Sequence, residues 1–261
     1  MSQDGLKWIL VALVILGVTG YVSTRFPGEG AGARSAERLS EAQFSRIMQE
    51  LQELRRLHQD AAPSRVERKP EEAARERTLR ITLPERPMQG NPKARLVLME
   101  FTDYQCPFCV RFHQETLPLI RKEFIETGRV GYMIMDLPLS NIHPHAAKAA
   151  EAVHCAGEQG QFFELSDYMF NNSARLNARF IEQSASAVGL NQELFSKCLR
   201  DKRHQQTVKR SLEMAEELGF TSTPTFALGR LENGNLVDGG YFLGAQPYSV
   251  FQQILQKMEA Q

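Results

Sequence analysis

Two cysteines separated by two residues are the most chemically distinctive feature of this sequence. The segment Cys106-Pro107-Phe108-Cys109 follows an apolar run, residues 96–101, and Pro107 suits the first turn of a helix. Unpaired backbone N–H groups and the positive end of the dipole at a helix N-terminus stabilise a thiolate. We therefore expect Cys106 to be an exposed attacking thiol. Cys109, one turn later, is expected to be the shielded thiol that resolves a mixed disulfide.

Two other interpretations of this cysteine pair need to be considered. A CxxC segment can be half of a zinc site, but a second ligand pair with suitable spacing is then required. Cys155 and Cys198 do not form such a pair, because 43 residues separate them. An inert structural disulfide between Cys106 and Cys109 is the other alternative. We favour a redox-active pair and predict no metal and no other cofactor.

The surrounding pattern predicts the elements that position this pair. Alternation at Leu79, Ile81 and Leu83 indicates a strand, and residues 96–101 and 129–135 indicate two more. A helix is expected from Pro107 to about Thr127. Further helices are predicted over residues 145–157, 162–170, 178–188, 192–201 and 204–218, and two strands and a last helix over residues 225–228, 236–238 and 248–258. This order predicts an α/β domain over residues 78–261 with a helical insertion at about 140–218.

The N-terminal third has a different character. Residues 8–24 are uncharged and mostly apolar, and as a helix they would span about 26 Å, slightly less than a bilayer core. We interpret residues 1–25 as a membrane anchor, with a cleaved signal segment as the alternative. Residues 26–77 are interpreted as a linker containing an amphipathic helix at about 35–59. The spacing of the apolar residues in that helix is compatible with association between copies of this chain, to form a homo-oligomer, or with simple packing of the helix against a domain.

Composition and charge narrow the function classes. The formal net charge is zero, so the chain lacks the broad basic surface typical of nucleic-acid binding, and we expect no nucleic-acid partner. Hydrophobic residues make up 42% and charged residues 24%, as in an ordinary globular protein.

The segment GNPKARLVLMEFTDYQCPFCVRFH, residues 90–113, resembles the active-site segment of the DsbA-like thioredoxin-fold family. Thr223-Pro224-Thr225-Phe226 resembles the cis-proline loop of that family. The resemblance implies a thioredoxin fold with inserted helices and thiol–disulfide exchange in the periplasm or on the outer face of the membrane. It also implies a cis peptide bond before Pro224. Thr223 would then offer its backbone to an extended substrate beside Pro107 and Phe108.

The resemblance also implies roles for other residues. Glu100 stands where relatives often carry an acid, and a carboxyl group in an apolar setting can exchange a proton with Cys109; the alternative is a strand-end residue that points to solvent. Cys155 and Cys198 resemble a second disulfide of relatives, although two free thiols or a second redox pair are alternatives. Phe108 and His113 depart from the family pattern, so the redox potential stays open.

These observations predict an exported thiol:disulfide oxidoreductase that donates disulfides during oxidative folding. Its partners would be unfolded or misoxidised exported proteins, a membrane redox protein and the inner membrane through residues 8–24. The location would be the periplasmic face of that membrane, or the periplasm after cleavage. An oligomeric isomerase or reductase is the first alternative. A non-catalytic binding module and a metal-handling protein using Cys106 and Cys109 are the others.

Overall fold

Five strands form one mixed sheet in the order β1-β5-β4-β2-β3 within the described part of the chain. The structure is a computed structural model that describes residues 49–50 and 75–260, and the fold below belongs to the second of two units of the chain, Glu67–Gln261. Strands β2 and β3 are parallel, and all other neighbouring pairs are antiparallel. The strands are β1 (Arg75–Thr82), β2 (Leu96–Thr102), β3 (Val130–Asp136), β4 (Thr225–Glu232) and β5 (Asn235–Leu243).

The helices lie between and after these strands. A continuous helix between β2 and β3 consists of α1 (Pro107–Arg111), a π-helical turn (Phe112–Thr116), α2 (Leu117–Ile120) and a second π-helical turn (Arg121–Ile125). The insertion between β3 and β4 contains α3 (Ala146–Gly157), α4 (Phe162–Asn171), α5 (Ala178–Gln183), α6 (Gln192–Arg200) and α7 (Gln205–Leu218), with short 3₁₀ turns at Ser173–Arg175 and Ser184–Val188. Helix α8 (Tyr248–Glu259) follows β5.

The first long helix is less regular than the sequence predicts. We expect an ordinary α-helix from Pro107 to about Thr127, whereas the structure has two π-helical turns in this stretch. Pro118 lies in the first turn of α2 and has no N–H to donate to the carbonyl four residues earlier. The π turn Phe112–Thr116 directly precedes that break in the hydrogen-bond pattern.

Both faces of the sheet are covered, and this decides where alternate strand residues point. On β2, Leu96 and Leu98 pack in the core that includes the helix after Cys106. Val97 and Met99 belong to the core on the other face, which includes Ala215 of α7. Because strand residues alternate between faces, Glu100 lies on the same face as Leu96 and Leu98, towards the helix that follows Cys106.

A buried ion-pair network joins the start of the domain to its inserted helices. Arg86 donates to Asp136 Oδ2 over 2.9 Å, to the carbonyl of Ile134 over 3.0 Å and to the carbonyl of Thr207 over 3.2 Å. His154 Nε2 lies 2.8 Å from the same oxygen of Asp136. Burial alone would raise the pKa of Asp136, but the charges of Arg86 and His154 outweigh it and hold that pKa well below its ordinary value.

The predictions for the N-terminal third lie outside the described residues. None of the helices that the structure describes is both long and apolar enough to span a bilayer. Residues 8–24 are not among those described, and of the predicted helix at 35–59 only residues 49 and 50 are described, both helical. The membrane segment, the linker and the oligomerising helix therefore stay predictions.

Candidate active site

Cys106 and Cys109 lie at the start of α1, as the sequence predicts. Cys106 is the N-cap residue, Pro107 is the first helical residue, and both cysteines are free thiols. Our expectation of an exposed Cys106 was wrong, because only 4% of this residue is accessible to solvent, against 0% for Cys109. One neighbour that covers it is the loop containing Thr223, whose carbonyl oxygen lies 3.5 Å from Cys106 Sγ.

The two thiols have opposite pKa shifts. A hydrogen bond from the Cys109 thiol is the main reason that the pKa of Cys106 falls to about 5, and it outweighs the opposing effect of burial. The backbone N–H groups of Phe108 and Cys109 lower it further. Burial is the main cause that raises the pKa of Cys109 well above its ordinary value, and the nearby charge of Glu100 adds to this. At neutral pH Cys106 is therefore a thiolate and Cys109 a thiol.

The loop before β4 completes the side of the site that faces Cys106. The Thr223–Pro224 peptide bond is cis, as the family resemblance implies. Two hydrogen bonds hold the loop: Thr225 Oγ1 donates to the carbonyl of Ser222 over 2.6 Å, and the N–H of Gly244 donates to the carbonyl of Pro224 over 2.8 Å. The backbone of Thr223 is thereby fixed against the thiol that we expect to attack.

Glu100 is fully buried beneath the site, so the alternative of a solvent-facing side chain was wrong. Its Oε2 accepts hydrogen bonds from Tyr132 and from His113 Nε2, the latter over 2.9 Å. Burial keeps Tyr132 protonated, since it raises the pKa of that hydroxyl well above its ordinary value. Oε1 of Glu100 has no hydrogen-bond partner among the described residues. A buried carboxyl with one free oxygen close to Cys109 is suited to exchanging a proton with it.

Three exposed apolar residues lie on the segments that form the site. Pro107 is exposed, and Phe108 is 53% exposed beside the guanidinium of Arg111, 5.3 Å from the centre of its ring. Leu243 is 46% exposed and pairs across the sheet with Thr225, which follows the cis proline. Pro107 and Phe108 are adjacent in the chain and together expose apolar surface directly after Cys106.

Sequence reasoning missed Asp103, which shapes the turn before Cys106. Its Oδ1 accepts from the N–H of Gln105 over 2.7 Å, and its carbonyl accepts from the N–H of Cys106 over 3.1 Å. Its Oδ2 accepts from the N–H of Leu139 over 2.7 Å and lies 2.9 Å from His143 Nδ1. An aspartate two residues before a turn N–H is a recognisable signal for the first of these contacts. The contacts with Leu139 and His143 are long-range and leave no local pattern.

The structure contains the Cys155–Cys198 disulfide, which joins α3 to α6. Cys155, Cys198 and His204 lie close enough together for metal ligation, but both sulfurs are committed to the disulfide. In the part of the chain that the structure describes, this grouping does not provide an available metal site.

The fold and the cysteine site define a class of protein. Residues 82–238 match the family model described as thioredoxin, and this covers more than half of the chain. The chain therefore belongs to the thioredoxin family.

Comparisons with individual proteins agree with this assignment. The solved structure of α-DsbA1 from Wolbachia pipientis has a TM-score of 0.59 and 25% sequence identity, and covers 68% of this chain and 92% of its own. The described domain thus has the DsbA type of thioredoxin fold. A protein of Rickettsia conorii, provisionally named a protein-disulfide oxidoreductase, is 23% identical over 155 residues, which is 56% of this chain and 54% of that protein.

A third relative is much longer than this chain. The Na⁺/H⁺ antiporter NhaA 3 of Salinispora tropica is 29% identical over 148 residues, or 56% of this chain. The match spans only 22% of the antiporter. The name of that relative therefore applies to a protein whose sequence lies mostly outside the matched region.

Proposed function

We propose that this protein is a thiol:disulfide oxidoreductase that donates the Cys106–Cys109 disulfide to unfolded, exported proteins. The lowered pKa of Cys106, together with its position at the start of α1 and beside Thr223, carries this proposal. A thiolate of low pKa is a good leaving group in disulfide exchange. Stabilising the reduced pair in this way makes the oxidised pair a stronger oxidant.

The donor reaction has two steps. A substrate thiolate attacks Cys106 Sγ, the Cys106–Cys109 bond breaks, and Cys109 leaves and takes up a proton. A second substrate thiolate then attacks the substrate sulfur of the mixed disulfide, a substrate disulfide forms, and Cys106 leaves as a thiolate. Two electrons pass from the substrate to the cysteine pair. The raised pKa of Cys109 keeps it protonated once it has left, so it does not attack backwards.

The proposed substrate site is the surface around Pro107, Phe108, Thr223 and Pro224. An extended chain would pair with the backbone of Thr223, and its apolar side chains would contact Phe108. Unfolded proteins fit this surface because they present both extended backbone and apolar side chains. We infer that a membrane redox protein restores the disulfide of Cys106–Cys109, and that residues 8–24 hold the protein at the periplasmic face of the inner membrane.

An experiment on cells that make the protein tests the direction of electron flow. Rapid acid quenching followed by thiol alkylation reports the redox state of the Cys106–Cys109 pair. In the Cys155→Ala/Cys198→Ala variant, Cys106 and Cys109 are the two cysteines left in the sequence, so every alkylated thiol belongs to this pair. A mostly oxidised pair is the expected result for a donor. A mostly reduced pair would replace the donor proposal with an isomerase or reductase, for which the predicted helix at 35–59 supplies an oligomer interface. A pair that never changes state would contradict an oxidoreductase.

A further inference from the structure

His113 lies between the buried carboxyl group of Glu100 and a cleft on the protein surface. Its Nε2 is 2.9 Å from Glu100 Oε2, and its ring stacks on Phe170 with the ring centres 3.5 Å apart. Its Nδ1 is buried and has no hydrogen-bond partner among the described residues. That nitrogen lies 4.0 Å from a carboxylate oxygen of Asp167, whose side chain is 39% exposed. One ring nitrogen is therefore held by the site, and the other faces a route to solvent.

The cleft has a volume of about 230 Å³ and is lined by His113, Gln114, Arg121, Asp167 and Asn171 among others. Arg121 donates to Asp167, with a shortest distance of 3.0 Å, and holds that carboxylate at the cleft. This space is large enough for water or a small solute to reach the wall that His113 forms. The charged and titratable groups around the imidazole are thus Glu100 on β2, Tyr132 on β3, Asp167 on α4 and Arg121.

We propose that His113 gains and loses a proton at Nδ1 in step with the opposite change at Glu100, and so connects the buried Cys109 to solvent. This inference rests on the proposed function. When Cys109 attacks a mixed disulfide, its proton passes to Glu100 and the Cys106–Cys109 bond forms. The substrate sulfur leaves as a thiolate. At the same time the imidazolium of His113 releases its Nδ1 proton into the cleft, while its Nε2 proton stays on the bond to Glu100.

The advantage of this coupling is electrostatic. Before the transfer the pair consists of a carboxylate and an imidazolium, and afterwards both groups are neutral. The net charge of the buried pair is zero in both states, so the protein avoids the large cost of leaving one unpaired charge in its core. In the donor direction the same steps run in reverse: Glu100 gives its proton to Cys109, and His113 takes one up from the cleft. Successive oxidation and reduction of the enzyme therefore reset the pair.

The test separates the attack by Cys106 from the attack by Cys109. Mixing the reduced protein with an aromatic disulfide such as 5,5′-dithiobis(2-nitrobenzoate) releases one coloured thiolate when Cys106 attacks and a second when Cys109 resolves the adduct. The second release is first-order and reports the proton loss from Cys109. We would measure it across pH for the full-length protein and for the Glu100→Gln, His113→Gln and His113→Ala variants. His204→Gln is the matched control, because it also removes a histidine bonded to a carboxylate, Glu158, at 2.8 Å.

The proposal predicts that His113→Gln slows the second release at least about tenfold at neutral pH, within the usual range for acid–base catalysis. Without His113 no proton leaves the buried pair when Glu100 takes the proton of Cys109, so that transfer is slowed. The rate should recover at higher pH, where solvent base can take the proton of Cys109 instead. Added imidazole should restore much of the rate in His113→Ala, because the vacated space opens to the cleft. His204→Gln should behave as the unsubstituted protein.

Two results would overturn the proposal without affecting the proposed function. One is a slow second release in Glu100→Gln together with an unchanged one in both His113 variants. The other is a slow His113→Ala variant that imidazole and higher pH fail to restore, which would give His113 only a structural role. Absence of any second release from the unsubstituted protein would instead contradict the proposed function, and the inference with it.

Discussion

Cys106 and Cys109 are the same type of residue, yet their surroundings give them different chemical roles. The Cys109 thiol and the backbone N–H groups of the first helical turn stabilise a thiolate at Cys106, whereas burial and the charge of Glu100 keep Cys109 protonated. The position of Cys106 before Pro107 is enough to predict the sign of its pKa shift. The family resemblance places the loop containing Thr223 near the cysteine pair, but the extent to which that loop buries Cys106 could not be predicted, because the contact joins residues 117 positions apart.

A first prediction concerns the hydrogen bond between these two thiols. In the reduced protein the rate at which iodoacetamide alkylates Cys106 should rise with pH through a midpoint near 5, the pKa of this thiolate. The Cys109→Ala variant removes the largest cause of the lowered pKa, so its midpoint should move towards the ordinary value for cysteine. Mass spectrometry of the alkylated protein provides the measurement. An unchanged midpoint in Cys109→Ala would show that Cys109 does not control the Cys106 thiolate.

At the scale of the elements, long-range contacts hold together segments that the sequence places far apart. Arg86 lies in the loop between β1 and β2, and it binds the end of β3 and the first turn of α7. The Cys155–Cys198 disulfide connects α3 to α6 within the insertion. The elements themselves follow closely from apolar periodicity. Apolar periodicity cannot identify the partner of Arg86. The chain has many arginines, and nothing in the neighbouring sequence indicates that this one binds a buried carboxylate.

Replacing Arg86 tests the buried ion pair with Asp136. The side chains of Arg86 and Asp136 are 4% and 1% exposed, and Arg86→Met leaves the carboxylate with the His154 ring as its remaining side-chain partner among the described residues. Loss of one partner of a buried pair typically costs about 3–5 kcal/mol. We expect urea unfolding at neutral pH to show a decrease of this size in the free energy of unfolding. The exposed Arg80→Met change is the control and should cost less than about 0.5 kcal/mol.

The same variant should change how stability depends on pH. Because the pKa of Asp136 is lowered in the folded protein, its contribution is complete above the ordinary pKa of a carboxyl group and is lost as the pH falls towards the folded value. Arg86→Met removes the largest favourable charge, so the variant should lose less stability than the unsubstituted protein between pH 7 and pH 3. An equal loss in both proteins would show that Arg86 does not set the pKa of Asp136.

Removing the disulfide tests how far it stabilises the insertion. A loop of 43 residues corresponds to about 4 kcal/mol in the chain-entropy description, and losses of about 2–5 kcal/mol are typical for native disulfides. The Cys155→Ala/Cys198→Ala variant should unfold at correspondingly lower temperature or urea concentration. The pH midpoint of Cys106 alkylation should not change, because the disulfide lies outside the active site. A shift of that midpoint would mean that the disulfide also tunes the redox pair.

At the scale of the whole molecule, the family resemblance and the element order predict the fold, and two short motifs predict the reacting residues. Cys106, Cys109 and Pro224 could be found because each stands in a distinctive local sequence. The sequence predicts only part of the surroundings of Glu100. Alternation along the strand places its side chain on the same face of the sheet as Leu96 and Leu98. The sequence marks His113 only as a departure from the family, and it does not show that Tyr132 and His113 share one carboxylate oxygen.

The most direct test of the account is disulfide transfer by the purified protein. The oxidised protein would be mixed with an equimolar amount of a reduced, unfolded protein, quenched with acid at intervals, alkylated and weighed by mass spectrometry. We predict that Cys106 and Cys109 become thiols while the substrate gains one disulfide, with Cys155–Cys198 unchanged, and that the Cys106→Ser variant transfers nothing. A Cys106–Cys109 disulfide that persists in the presence of substrate thiols would contradict the central claim.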